Sequence, residues 1–268
     1  VNFFDTHCHL NHSSFQPDLD EVLQRAFDSG VTNILVPGWD LDSSQAAVDL
    51  AEKYPQIVAA VGIHPTEIMF GRALPLHEIR ELCKHPKVVA IGEIGLDYHH
   101  DPDHVQDQQS LLVELLEIAT EADKPVILHS RESMNDVKQI ILEWVNHLPL
   151  TTFKLLKCPG IFHAFEGNLH DAMELIQYGF RFGVGGPLTY KNVSLKKEVF
   201  STLPVQNICL ETDAPYLSPA KHRGERNEPS FIPIVADTLS RLRDEISDAL
   251  YNQIFENSYR IFIKEKAS

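Results

Sequence analysis

The chain has 268 residues, 43% hydrophobic and 23% charged, a balance that supports a folded core and excludes disorder. Its 23 Lys and Arg face 38 Asp and Glu, a net charge of −15 that excludes a broad polyanion binder, because such affinity comes from neutralising phosphates. Fourteen histidines are the one compositional excess.

Val1–Leu10 reads VNFFDTHCHL, with no basic lead and no long apolar stretch, so no signal peptide is predicted. No window approaches the ~18 apolar residues of a membrane span. Cys8, Cys83, Cys158 and Cys209 form no CxxC pair, which favours a reducing, cytoplasmic setting over a disulfide framework. Apolar β-rich runs then follow in chain order: Phe3–His7, Asn33–Val36, Ile57–Gly62, Val88–Glu93, Val126–His129, Ile161–Phe165, Arg181–Val184 and Asn207–Leu210. Amphipathic stretches separate them, the clearest being His104–Asp123, where Leu112, Leu115, Leu116 and Ala119 recur at helical spacing. Pro229–Arg243 and Glu245–Lys264 read as two closing helices. No linker or repeat divides the chain, so one domain over residues 1–268 is expected, its last helices spanning about 229–264. Eight strands alternating with helices predict an α/β fold, a TIM-type (β/α)8 barrel. An open doubly wound sheet has the same element count.

The polar residues favour the barrel, whose catalytic groups sit at the C-terminal ends of the strands. Strand one ends in Asp5-Thr6-His7-Cys8-His9, and alternation points His7 and His9 to one face and Cys8 to the other. Strand four ends at Glu93, strand five at His129 and strand six at His163, and strand eight leads into Asp213. A single strand-end histidine is as readily hydrogen-bonded filler, and HxH alone is a weak signal. Glu93, flanked by Gly and Ile, is costly to bury unless it is paired or binds a cation. Together, six imidazole and carboxylate donors without thiolate suit Zn²⁺, Mn²⁺ or related ions in a hydrolytic site. Six donors exceed one tetrahedral zinc and suit two ions about 3.5–4 Å apart, with Glu93 as the bridge and Asp213 accepting a proton from an activated water.

The motifs that carry these residues resemble the TatD family of metal-dependent hydrolases, among the amidohydrolase-like barrels, over essentially the whole chain. They are Asp5–His9, Gly62-Ile63-His64-Pro65, Gly92–Tyr98, Leu128-His129-Ser130-Arg131, His163–Gly167, Glu211–Tyr216 and Arg223–Pro229, in that order. The resemblance implies metal ligands His7, His9, Glu93, His129, His163 and Asp213. It further implies a deoxyribonuclease, often a 3′→5′ exonuclease, dependent on a divalent metal such as Mg²⁺. Many relatives carry Cys and then Phe-Ser-Gly after the sixth-strand His. Here Ala164-Phe165-Glu166-Gly167 stands instead, and Glu166 bears on substrate range rather than catalysis.

Four residues are read as substrate contacts. His64 faces the barrel mouth, Arg131 offers a planar fork to phosphate, and Arg223 and Arg226 lie in the most basic segment, after strand eight. Each has a plain structural alternative, as a strand cap, an ion pair or a solvated charge. Glu211 is expected to hydrogen-bond a ligand imidazole, and Asp97 to bond a ligand or orient its loop.

The leading expectation is phosphodiester hydrolysis at two divalent ions (Mg, Mn or Zn), with Glu93 and Asp213 as the catalytic pair. The DNA substrate would be a short single strand or a strand end, with no membrane and no obligate protein partner. The same site could instead hydrolyse a carbon ester, lactone or amide, for example an aminoacyl-tRNA ester. A non-catalytic barrel would require a broken donor set, and none of the six is missing.

Overall fold

Runs such as Ile57–Val61, apolar at every position, bury both faces, as parallel strands covered by helices do. The computed structural model describes residues 1–245 and 247–263. Its strands are β1 (Phe3–Asp5), β2 (Val31–Pro37), β3 (Ile57–Val61), β4 (Val88–Asp97), β5 (Val126–Arg131), β6 (Gly160–Phe162), β7 (Arg181–Val184) and β8 (Ile208–Leu210). They pair in parallel in sequence order, β1 to β8. The seam between the last strand and the first is tied by backbone bonds: Thr6 N–H donates to the Leu210 carbonyl at 3.0 Å, and Asp213 N–H to that of His7 at 2.8 Å. The result is the TIM-type barrel.

Asp5 clamps this seam. Its carboxylate accepts the Thr212 N–H at 3.0 Å, the Thr212 hydroxyl at 2.6 Å and the His7 N–H at 3.3 Å. Burial nevertheless pushes its pKa up to about 8.

The helices are α1 (Leu19–Asp28), α2 (Leu41–Lys53), α3 (Leu76–Leu82), α4 (Val105–Ala122), α5 (Met134–Asn146), α6 (Leu169–Ile176), α7 (Ser194–Thr202), α8 (Ile232–Arg243) and α9 (Ser247–Phe262). A capping box starts α2, where Asp40 and Ser43 satisfy each other's backbone N–H. The apolar stripe of α4, including Leu112, Leu115 and Ala119, is fully buried. A smaller core of Phe4, Leu35, Val58, Ala60, Ala90, Ile127, Ile161 and Cys209 fills the barrel interior, with Phe262 of α9 packed 5.7 Å from Phe4. Strand β7 adds no apolar side chain to that cluster, because its residues of matching phase are Arg181 and Gly183.

Several predicted boundaries move. Strand β4 runs four residues past Glu93, because Ile94–Asp97 continues to pair with Leu128–Arg131 of β5. For the same reason β5 continues beyond His129. Strands β1 and β6 stop short of His7 and His163, which sit just past the regular ladder. Pro229–Phe231 forms a separate 3-10 turn before α8. Of the last predicted helix, Ile246 and Lys264 lie outside the described residues. Among the described residues, no helix is long and apolar enough to cross a membrane.

Candidate metal centre

Alternation along the extended chain sends His7 and His9 to one side and Cys8 to the other, where it bridges Ala214 and is fully buried. The Glu93 N–H is anchored to the Gly38 carbonyl at 2.7 Å, and the His163 N–H to that of Leu128 at 3.0 Å. Asp213 adopts φ +59°, a left-handed conformation costly for a residue with a Cβ. The bonds from Asp213 N–H to His7 and from Tyr216 N–H to the Asp213 carbonyl hold it there.

These elements bring all six predicted side chains together, and Glu93 divides them. Its Oε2 faces His7 Nε2 at 3.4 Å and His9 Nε2 at 3.7 Å. Its Oε1 faces His129 Nδ1 at 3.0 Å and His163 Nε2 at 3.6 Å. Asp213 Oδ1 joins the first group, 3.4 Å from His9 Nε2 and 3.8 Å from His7 Nε2. His64 Nε2 stands 3.7 Å from Glu93 Oε1, which adds a seventh donor beside the second group.

Two further carboxylates hold the imidazoles from behind. Asp97 Oδ2 lies 3.0 Å from His129 Nε2, on the side of the ring away from Glu93, and also accepts from His100 Nδ1 at 2.8 Å. Glu211 Oε1 lies 3.4 Å from His163 Nδ1 and accepts the Ala164 N–H at 2.6 Å. Gly183 makes room for Glu211, since a Cβ there would meet Glu211 Oε2 at 2.0 Å. Gly95, at φ +149°, lets β4 pass the His129 carbonyl, which a Cβ would meet at 1.9 Å.

The electrostatics follow from this crowding. Burial opposes the Glu93 charge, but His7, His163 and His129 outweigh it and hold its carboxyl well below the ordinary value. Burial likewise opposes charge on Asp213, and His163, His9 and His7 keep it anionic. For His163, burial is overcome by Glu211, Asp213 and Glu93, which raise its pKa to about 10. His7 stacks on His163 at 3.7 Å, and burial and that neighbouring charge lower its pKa. For His129, the bonds to Asp97 and Glu93 outweigh burial and give about 8. Burial and His129 lower His64 to about 3.

The donor set fits divalent cations. His7 Nε2 and His9 Nε2 stand 3.1 Å apart, a separation at which a proton or a cation must lie between the two lone pairs. Both face carboxylate oxygens of Glu93 and Asp213, and His129 and His163 are backed by Asp97 and Glu211, the usual construction of such sites.

The residues read as substrate contacts separate. His64 lies in the cluster, its Nδ1 bonded to the Thr66 hydroxyl at 2.7 Å. Arg131 is exposed at the end of β5. Arg223 lies over the Tyr190 ring at 5.7 Å. Arg226 differs from expectation: its guanidinium grips both Asp18 oxygens at 2.8 and 2.6 Å, donates to the Ser14 carbonyl and covers the Phe15 ring. It ties the loop after β8 to α1 and is not an open donor at the barrel mouth.

Two features escape a strand-end reading. Lys196 of α7 donates to the Ala164 and Phe165 carbonyls at 3.3 and 2.7 Å, securing the loop behind His163, and nothing in Ser-Leu-Lys-Lys marks it. Trp39 follows β2 and touches His9. It stands at a strand end as the histidines do, but an indole is no metal donor, so a pattern of imidazoles and carboxylates does not mark it.

The family model described as TatD related DNase matches residues 4–263. The chain is 36% identical over 259 residues to the uncharacterized metal-dependent hydrolase YabD of Bacillus subtilis (strain 168), covering 97% of this chain and 98% of that protein. It is 32% identical over 247 residues to the 3′-5′ ssDNA/RNA exonuclease TatD of Shigella flexneri serotype 5b, covering 90% and 92%. Among solved structures, the TatD homolog YjjV of Escherichia coli K12 superposes with a TM-score of 0.89 at 34% identity, over 98% of each chain.

Proposed function

The chain belongs to the TatD family of metal-dependent hydrolases, and from that premise we propose that it is a deoxyribonuclease of the 3′→5′ exonuclease type acting on single strands or strand ends. The observation that carries the reading is the division of Glu93, with one oxygen toward His7 and His9 and the other toward His129 and His163. That arrangement supports two divalent ions, one held by His7, His9, Glu93 and Asp213, the other by Glu93, His129 and His163. The name of the Shigella relative supports a nucleic-acid substrate. Four free, buried cysteines support a reducing, cytoplasmic setting.

Divalent ions bound there would supply Lewis-acid polarisation of the scissile phosphate and a more acidic water. The remaining work falls to the chain. Asp213 stays unprotonated at neutral pH and is partly open to solvent, so it accepts the proton of the attacking water. His64, kept neutral by burial, and the exposed Arg131 and Arg223 contact phosphate oxygens. Asp97 and Glu211 fix the orientation of His129 and His163.

The test is release of mononucleotides from a single-stranded oligonucleotide with Mg²⁺ or Mn²⁺, abolished by Glu93→Ala. Intact DNA under every metal, with a folded and metal-loaded protein, would overturn the reading. Turnover of lactones or aminoacyl esters in that case would move the same site to carbon esters.

A further inference from the structure

One side of the proposed site is aromatic. The Trp39 ring lies 5.4 Å from the His9 ring at 63°, and the Tyr216 ring 6.0 Å from it at 72°. His12 touches the same two rings, at 6.4 and 5.9 Å. Trp39 follows β2 and Tyr216 follows β8, so both stand at the barrel end that carries Glu93 and Asp213. Burial, and then the charges of Asp213 and Glu93, raise the Tyr216 pKa.

These rings are open yet held. Tyr216 is 51% exposed and Trp39 partly exposed. The Tyr216 carbonyl accepts from buried Asn227 Nδ2 at 2.7 Å. Trp39 N–H donates to Ser43 Oγ at 2.8 Å, and the Trp39 carbonyl accepts the His64 N–H at 2.8 Å. His12 Nδ1 pairs with Ser14 Oγ at 2.9 Å. An exposed aromatic on a fixed loop offers a ligand contact area at little ordering cost. The faces offered are π-faces, and the chain's charge disfavours recognition by a basic groove.

We propose that Trp39 and Tyr216, with His12 beside them, form a stacking seat for the nucleobase next to the scissile phosphate. This rests on the nuclease reading above and adds the means by which so acidic a chain holds a strand. Stacking is tolerant of base identity, because every base presents a π-face. Binding through it also depends less on salt than binding through many phosphate contacts.

The test compares Trp39→Ala and Tyr216→Ala with Trp39→Phe and Tyr216→Phe on single-stranded oligothymidylate. Each alanine variant is expected to raise KM about tenfold or more with a smaller change in kcat, and the phenylalanine variants to retain most of the affinity. An abasic residue at the attacked end should raise the wild-type KM by a similar factor, with Trp39→Ala adding little further loss. Binding is read separately in the Glu93→Gln background, where oligothymidylate should quench Trp39 fluorescence. Trp144, the other tryptophan, is bonded to Thr120 within the helical layer and gives a steady background. An unchanged KM in both alanine variants, or an equal loss on abasic and normal ends, overturns the seat and leaves the nuclease reading standing. Absence of any DNA cleavage by the wild type overturns both.

Discussion

The Asp97 carboxylate and the Glu93 carboxylate hold opposite nitrogens of one ring, each 3.0 Å from His129. A histidine pinned in this way has its ring orientation set before any cation arrives. Asp97→Asn replaces an anionic acceptor with a neutral amide. Metal affinity, measured by calorimetry or competition with a chelator, should fall about 10–100-fold, while the fold is retained.

Glu93→Gln removes the charge shared by the two groups of imidazoles. Metal content after dialysis should drop, and the rate of phosphodiester cleavage should fall on the order of 10³-fold, the equivalent of about 4 kcal/mol at the transition state. Elemental analysis beside steady-state kinetics checks both. Retention of full metal content with full activity would sink the bridging role.

The convergence of these residues was legible because a barrel collects strand ends at one rim, so type and order along the chain were enough to bring His7, His9, Glu93, His129, His163 and Asp213 together. Strand limits were less legible. The extension of β4 to Asp97 comes from pairing with β5, a partner 30 or more residues away that local composition does not reveal. Arg226 illustrates a second limit. Its partners Asp18 and Phe15 precede it by roughly 200 residues, so the basic segment looks like an open surface until the loop is folded onto α1. Lys196 was silent for the same reason, since its role lies in two backbone carbonyls that have no sequence signature.

Gly183→Ala tests whether space behind His163 matters. The new Cβ would approach Glu211 Oε2 at 2.0 Å, so the buried carboxylate would have to be displaced. We expect a loss of about 1–3 kcal/mol in stability by denaturant unfolding. We also expect weaker metal binding, because Glu211 would shift away from His163.

The Asp18–Arg226 pair predicts an acid-dependent contribution to stability. Hydrogen bonding to Arg226 lowers the Asp18 pKa from its ordinary 3.8, so the folded state favours the carboxylate. Such a group stabilises fully above the ordinary value and loses its contribution as pH falls through the lowered one. The pair is partly exposed, with Asp18 at 34%, so Asp18→Asn should cost at most about 1 kcal/mol near neutrality. The difference from wild type should shrink as pH falls below the ordinary 3.8 and through the lowered value, as unfolding curves at neutral pH and in increasingly strong acid would read.

The Asp5–Thr212 clamp has a consequence for biogenesis. His7 and His9 follow the first strand and Asp213 lies in the turn after the last, so half of the proposed centre comes into being only when the two ends of the sheet meet. A growing polypeptide that has not yet emitted its eighth strand carries no complete first cation pocket. Any ion captured afterwards rivets together segments more than 200 positions apart, and so should slow the opening of the ring more than it speeds its closure.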